Sequence, residues 1–293
     1  MDMALQGIQI NPKRFHRSQI KFYVILTPIS LLMLLPIIYI VNHAFKPLDE
    51  LFLFPPRFFV ENPTLRNFQL LFRTASETGV PMARYLFNSV VVTIITMFAT
   101  VYITATSAYA LSKKRFKSKG VLLFINQTAL MFVPIAVMIP RYLVIVNVGL
   151  YNNILAHIVP MLAMPVGLFL VKQFVDQIPD ALIEAAVLDG ATDRKIIAKI
   201  IVPLIKPALA TVCLLTFQAV WNATESSNLF VADETLRTFA FYMGALSAQA
   251  SGNVAAGAGM SAAASLIMFL PNFFMFIFMQ SRVMNTMSHS GIK

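Results

Sequence analysis

The 293-residue chain is 58% hydrophobic and only 12% charged, with a mean hydropathy of +0.72. A soluble domain carries about 25% charged residues, and 25 Phe and 16 Met add bulky apolar surface, so composition excludes a water-soluble fold and makes the bilayer the solvent. The net charge of +10 resides in short loops, as membrane topology requires, rather than in a nucleic-acid interface, and the single cysteine, Cys213, lies in an apolar run and makes no intrachain disulfide.

Six stretches approach the length of about 20 apolar residues that a spanning helix needs: 22–41, 87–111, 121–142, 154–171, 208–221 and 256–280. The fifth is short alone and is extended backwards by an apolar helix ending at Pro203. The first is too long for a signal peptide and lacks a small-residue cleavage site, so it reads as a retained helix. Lys and Arg in short loops set the orientation. Lys13, Arg14, Arg17 and Lys21 precede the first span, and "SKKRFKSKG" after the second holds five basic residues. Arg194, Lys195, Lys199 and Lys206 follow the fourth, with Lys172 at its edge, whereas "LVIVNVGLYNN" after the third has none. The expectation is an all-α membrane protein: a cytoplasmic segment 1–21, a six-helix transmembrane domain 22–280 and a cytoplasmic tail 281–293.

The first outer loop, 42–86, contains Pro55, Pro56 and Pro63 and reads as an irregular crossing. A short amphipathic helix built on Leu65, Phe68, Leu71 and Phe72 should follow. The segment 224–255 is too polar to span and too long for a plain turn.

Between spans four and five runs "EAAVLDGATDRKIIAKIIVP". Pro179 and Asp180 predict a helix start, and Gly190 fits the left-handed position past a helix end. Thr192 or Asp193 should cap a second helix with Ile196, Ile197, Ile200, Ile201 and Leu204 on one face. Pro203 and Pro207 should then kink that helix into span five. A short helix displaying Glu184, Ala185 and Ala186 would form a knob that another protein surface can approach closely.

These residues carry a resemblance. Glu184-Ala185-Ala186, three residues, Gly190, nine residues, then Ile200-x-x-Pro203 resembles the EAA loop of bacterial ABC-importer permeases, with Val202 in place of the usual leucine. "FNSVVVTIITMFATVYITATSAYALSKKRF", "IPRYLVIVNVGLYNNILAHIVP", "PTLRNF" and "VWN" resemble the carbohydrate, maltose-type branch. The resemblance covers roughly residues 20–285. It implies the type I importer permease fold in a bacterial inner membrane. It also implies partners: a second, homologous permease, two ATPase subunits and an extracytoplasmic solute-binding protein. The loop would be the coupling helix seated in an ATPase cleft. Glu184 would make the polar contact, Ala185 and Ala186 would permit close seating, Gly190 would set the elbow, and Asp189 and Pro203 complete the motif. After Trp221-Asn222 the chain reads "ATESSNLF" and departs from the family pattern, so acidic glycans such as alginate or pectin fragments stand beside neutral oligosaccharides as the expected cargo.

No GxxxxGK[ST] loop occurs, so ATP and Mg are expected on the partner subunits, and this chain is expected to bind no cofactor and to be no enzyme. His16, His43, His157 and His289 show no metal spacing, and His157 is expected to make a helix–helix hydrogen bond. Polar groups within spans must face a partner helix or a wet cavity. Candidate substrate-path residues are therefore the amides Asn126, Gln127, Gln218 and Asn222 and the aromatics Tyr142, Phe217 and Trp221. In span six, Gly257, Ser261 and Ser265 repeat every four residues and suit close helix contact. A secondary transporter is the alternative, disfavoured because no charged relay lies in mid-membrane.

Overall fold

The computed structural model describes residues 19–55, 57–73, 79–250 and 254–289, without the side chains of 247–250, 254–256 and 281–289. Lys13, Arg14 and Arg17 and the end of the expected tail, 290–293, lie outside the described residues. In chain order the helices are α1 (Ile20–Phe45), α2 (Leu48–Leu51), α3 (Arg66–Arg73), α4 (Met82–Lys113), α5 (Lys119–Ala129), α6 (Met138–Asn147), α7 (Leu155–Leu162) and α8 (Pro165–Asp176). There follow α9 (Asp180–Leu188), α10 (Asp193–Ile196), α11 (Val202–Leu204), α12 (Lys206–Trp221), α13 (Glu225–Leu229), α14 (Phe239–Ala250) and α15 (Val254–His289). No β-strand occurs among the described residues. The chain falls into two compact units, Met1–Leu70 with Ala250–Leu266 and Leu71–Gln249 with Ile267–Lys293.

In the first unit, α1 is apolar on every side, and no residue of its most apolar 18-residue window is buried. A helix of this kind is stable only with lipid or another subunit around it. The crossing after it is irregular, as its prolines predict, and is held by buried polar groups. Lys46 is buried and donates to the Arg57 carbonyl. Asn42 Oδ1 accepts from the Val60 N–H at 3.0 Å. Asn67, also buried, donates to the Ala44 and Lys46 carbonyls at 3.0 and 2.8 Å. Of the expected apolar face, Leu71 is buried and Phe68 half-buried, but Leu65 and Phe72 are exposed. A Cβ at Gly259 of α15 would lie 2.5 Å from Asn67 Oδ1. This is a close approach of α15 to the irregular crossing, and Gly257 of the expected small-residue face is buried.

In the second unit the mast is α4, 32 residues and about 48 Å long. Ser89, Thr93, Thr96, Thr100 and Thr104 form a buried stripe along it, and small side chains there let α8 and α12 pack closely. Gly167 of α8 is equally tight: an added Cβ would meet Val212 Cγ2 at 3.3 Å. The core toward one end of α4 joins Ala105, Ala108 and Tyr109 to Val171, Val175, Ile196, Ile201, Ile205 and Val212.

Only α1, α4 and the α15 segment Gly257–Gln280 are continuous candidate spans; counting each bent helix pair as one span gives six. The expected spans three and four are bent pairs. α5 and the Pro134–Asn147 segment meet at 112°, and α7 and α8 at 43°. The cause is the same in both. Proline cannot donate to the preceding turn and drives the residue before it out of the helical region. Val133 before Pro134 has φ −76° and ψ 130°, and Met164 before Pro165 has φ −119° and ψ 83°. Span five bends by 85° between Asp193–Leu204 and Lys206–Leu229, as Pro203 and Pro207 predict. Just ahead of Pro203 the helix widens into a π turn, Ile197–Ile201, where the Val202 N–H reaches the Ile197 carbonyl.

Glu50 organises the irregular crossing. Its carboxylate accepts the backbone N–H groups of Glu61 and Asn62 at 3.0 and 2.8 Å. The Glu61 N–H above all holds its pKa below the ordinary glutamate value, with the Asn62 backbone and side chain adding to the effect. A depressed carboxylate stabilises fully above its unfolded pKa and loses that contribution as pH falls through the folded value. A nitroxide label replacing exposed Phe59 should be ordered at neutral pH and become mobile on acidification. Glu50→Ala should show the mobile spectrum already at neutral pH; identical spectra for parent and variant there would contradict this account of the crossing.

Candidate functional site

The elbow after α8 has the backbone that its sequence predicts. α9 starts after Pro179 and ends in a reciprocal pair of bonds, Gly190 N–H to the Val187 carbonyl at 3.0 Å and Ala191 N–H to the Ala186 carbonyl at 2.9 Å. This closure needs a left-handed residue, and Gly190 has φ +75°. No atom lies within 4 Å of an added Cβ there, so glycine is required by backbone conformation alone. Glu184, Ala185, Asp189 and Leu188 are exposed, Leu188 at 89%. Ala186 instead faces inward and packs with Ile183 and Ala191 on the core. The outward small side chain is therefore Ala185. Pro203 sits past the π turn, remote in sequence from the knob. On the second helix Ile196 and Ile201 are buried and Ile197 and Ile200 half-buried, while Leu204 is exposed.

Neither Thr192 nor Asp193 caps α10 with its side chain. Asp193 is engaged elsewhere: Tyr109 Oη donates to it at 3.0 Å and Lys114 pairs with it at 2.6 Å. These contacts belong to a clamp at the C-terminal end of α4. Ser112 Oγ donates to Asp176 at 2.5 Å. Lys113 Nζ donates to the Ile178 carbonyl at 2.5 Å and to Asp180 at 2.7 Å, with its own side chain only 8% exposed. Lys172 adds a second bond to Asp176 at 2.6 Å. Four residues within less than two turns, Tyr109, Ser112, Lys113 and Lys114, thus grip the chain on both sides of α9. Composition accounted for Lys113 and Lys114 only as loop charge; nothing in a sequence shows which acids they meet.

The other end of α4 grips the segment after span five. Asn88 Nδ2 donates to the Thr235 and Arg237 carbonyls at 2.8 and 2.9 Å, and Ser89 Oγ accepts the Phe239 N–H at 2.8 Å. Arg84 Nε donates to the Thr235 carbonyl at 3.0 Å. His157 is buried, with Nε2 3.1 Å from the Leu236 carbonyl and Nδ1 2.7 Å from Ser226 Oγ. A carbonyl can only accept, so Nε2 carries the proton and Nδ1 accepts from the serine. This is the hydrogen-bonding role expected of His157, made to a loop and a short helix. Beside it Arg141 pairs with Glu225 at 3.0 Å, each side chain about one-third exposed. The sequence reading missed this pair, which joins residues 84 apart.

The candidate path residues separate. Phe217 and Trp221 are buried, stacked at 5.8 Å, and Trp221 Nε1 donates to the Met268 carbonyl at 3.0 Å. Gln218 and Asn222 lie on the exposed side of α12, joined by an Asn222 Nδ2 bond to the Gln218 carbonyl at 2.8 Å. Tyr142 is exposed on α6, edge-on to Tyr151 at 6.2 Å. Gln127 is exposed on α5 beside Lys172 and Gln173, and Asn126 donates to the Pro165 carbonyl at 3.4 Å. Among the described residues no three His, Cys, Asp or Glu side chains converge as a metal site.

Lys113 should be the main fixture of the elbow. Lys113→Ala leaves the Ile178 carbonyl without its donor, a loss of about 1–2 kcal/mol. Amide hydrogen exchange across 180–191 should speed up by roughly tenfold, and Lys113→Arg should recover much of the protection. Unchanged exchange in Lys113→Ala would show that the elbow holds itself.

Comparison with known proteins places this architecture. Residues 103–281 match the family model described as binding-protein-dependent transport system inner membrane component. The chain is 35% identical over 209 residues to the probable ABC transporter permease protein YurM of Bacillus subtilis, covering 69% of this chain and 66% of that one. It is 30% identical over 267 residues to the trehalose/maltose transport system permease protein MalG of Thermococcus litoralis, covering 90% and 93%. A crystal structure of a bacterial ABC transporter involved in the import of the acidic polysaccharide alginate superposes with a TM-score of 0.78 at 22% identity, over 92% of this chain and 99% of that one. The chain, folded as an ABC importer permease, belongs to the binding-protein-dependent transport system inner membrane component family.

Proposed function

We propose that this chain is the membrane-spanning permease subunit of an ABC importer that moves a carbohydrate, with both termini in the cytoplasm and α9 as its coupling helix. The observation that carries the reading is the α9 elbow: a short helix with an outward Glu184-Ala185-Leu188 face, closed by a left-handed glycine and gripped on both sides by α4. An exposed leucine beside a small residue and a carboxylate suits docking into a protein cleft. The cleft belongs to a separate ATPase subunit that holds ATP and Mg. Two such subunits, a second permease and an extracytoplasmic binding protein complete the assembly. Closure of the ATPases draws the coupling helices together and turns the membrane cavity outward, and hydrolysis resets it.

The carbohydrate assignment is supported by relatives named for trehalose and maltose and for alginate. Exposed Gln218, Asn222, Gln127 and Tyr142 supply the hydrogen-bonding groups that a glycan path needs, while we assign Phe217 and Trp221 to packing behind them. An oligosaccharide fits best, and the departure of "ATESSNLF" after Asn222 from the maltose-type pattern makes an acidic glycan the variant to examine first.

In the assembled complex, Ala185→Trp should leave membrane insertion intact, because the site is exposed. Glycan-stimulated ATP hydrolysis should fall toward the basal rate and the ATPase subunits should co-purify poorly. Gly190→Val should act similarly through its strained positive φ, at roughly 1–2 kcal/mol. Normal co-purification and normal stimulated turnover in Ala185→Trp would sink the coupling-helix assignment, since an exposed connector would tolerate that change within about 0.5 kcal/mol.

A further inference from the structure

A cavity of about 420 Å³ opens between α4, α5 and the α7–α8 break. That is within the range of about 300–1,000 Å³ of ligand-binding pockets. Phe116, Leu122, Ile125, Leu162 and Leu168 line it, and only Thr104, Ser107 and Asn126 bring polar atoms. The Asn126 amide is already engaged with the Pro165 carbonyl. A sugar would find few hydrogen-bonding partners here, but an acyl chain would be well solvated.

The charge beside the cavity is selective. In "SKKRFKSKG" three of the five cations are used internally: Lys113 and Lys114 on the elbow, and Lys119 on the Ser112 and Lys114 carbonyls at 3.1 and 3.4 Å. Arg115 and Lys117 are exposed, have no ion-pair partner among the described residues, and flank Phe116, which lines the cavity. Exposed basic residues on either side of a residue that lines an apolar crevice between membrane helices match a phospholipid of negative charge.

We infer that this cavity takes an acyl chain of an anionic phospholipid, with the phosphate held by Arg115 and Lys117. The site requires only that the helices lie in a bilayer and does not depend on the transport reading. An acyl chain filling the space beside the α7–α8 break would hold α5 against α8, and each buried methylene contributes to its retention.

The test uses the assembled complex, equilibrated with mixed phosphatidylglycerol and phosphatidylcholine vesicles, extracted in mild detergent and examined by native mass spectrometry. The parent should retain phosphatidylglycerol in preference to phosphatidylcholine. Arg115→Gln with Lys117→Gln should reduce that preference about 10- to 30-fold, at roughly fivefold per basic side chain. Arg194→Gln with Lys195→Gln, an equal charge loss at exposed positions away from the cavity, should leave it unchanged. Ser107→Phe should fill the cavity and lower retention of both lipids. Equal losses in the two charge variants would show diffuse surface attraction and overturn the site. Unchanged retention in a folded Ser107→Phe complex would show that no chain enters the cavity, and absence of preference in the parent would mean that the crevice is covered by a protein partner. If Ser107→Phe does not assemble, the two exposed charge pairs still decide.

Discussion

Polar side chains at the two ends of α4 hold the elbow around α9 and the segment 235–239 of the second unit. Asn88 and Tyr109 are 21 residues apart, about 32 Å along the helix, close to the roughly 30 Å of a bilayer's hydrocarbon core. At one end Arg84, Asn88 and Ser89 fix the segment 234–239; at the other Tyr109, Ser112, Lys113 and Lys114 fix the elbow around α9. Between them runs the serine–threonine stripe. In lipid there is no hydrophobic force to press helices together, so close packing of small residues and hydrogen bonds carry association. One helix can therefore relate both membrane faces mechanically. The elbow is joined to α4 through Lys113, whose side chain is largely buried, and not only through the loop between them.

The broken spans complete this arrangement. Pro134, Pro165 and Pro203 each stand where a helix changes direction, by 112°, 43° and 85° at the three joints. Freed backbone groups at such joints persist in a membrane only where protein or a wet cavity satisfies them. At the α7–α8 joint the Asn126 side chain adds a bond to the Pro165 carbonyl. A rigid α4 beside three jointed helices divides the unit into a part that keeps its shape and a part with built-in bends.

Sequence legibility follows the same division. The α9 elbow was readable because proline, glycine and an alanine-rich run each constrain the local backbone, and local conformation is what a sequence encodes most directly. The spans were readable from length and apolarity, but their bends were not, since hydropathy is blind to the direction of a helix axis; Pro134 and Pro165 were visible, their angles were not. Lys113 was counted as loop charge because burial is a tertiary property. Arg141 and Glu225 could not be paired across 84 positions. Asn88 and Ser89 stood out only as part of a resemblance, and the structure supplies their reason: they hold the 235–239 backbone. Ala185 and Ala186 looked equivalent until the helix phase set one outward and the other against the core.

If α9 is the coupling helix proposed above, α9 and α4 move as one body when nucleotide drives the complex. Spin labels at Leu188 and Phe98, both exposed on α9 and α4, would report their separation by pulsed electron resonance in the assembled importer. The account predicts one narrow distance, unchanged between nucleotide-free and ATP-bound states, while the distance from Leu188 to the coupling helix of the second permease shortens. A Leu188–Phe98 distance that shifts or broadens as much as the one between subunits would contradict it.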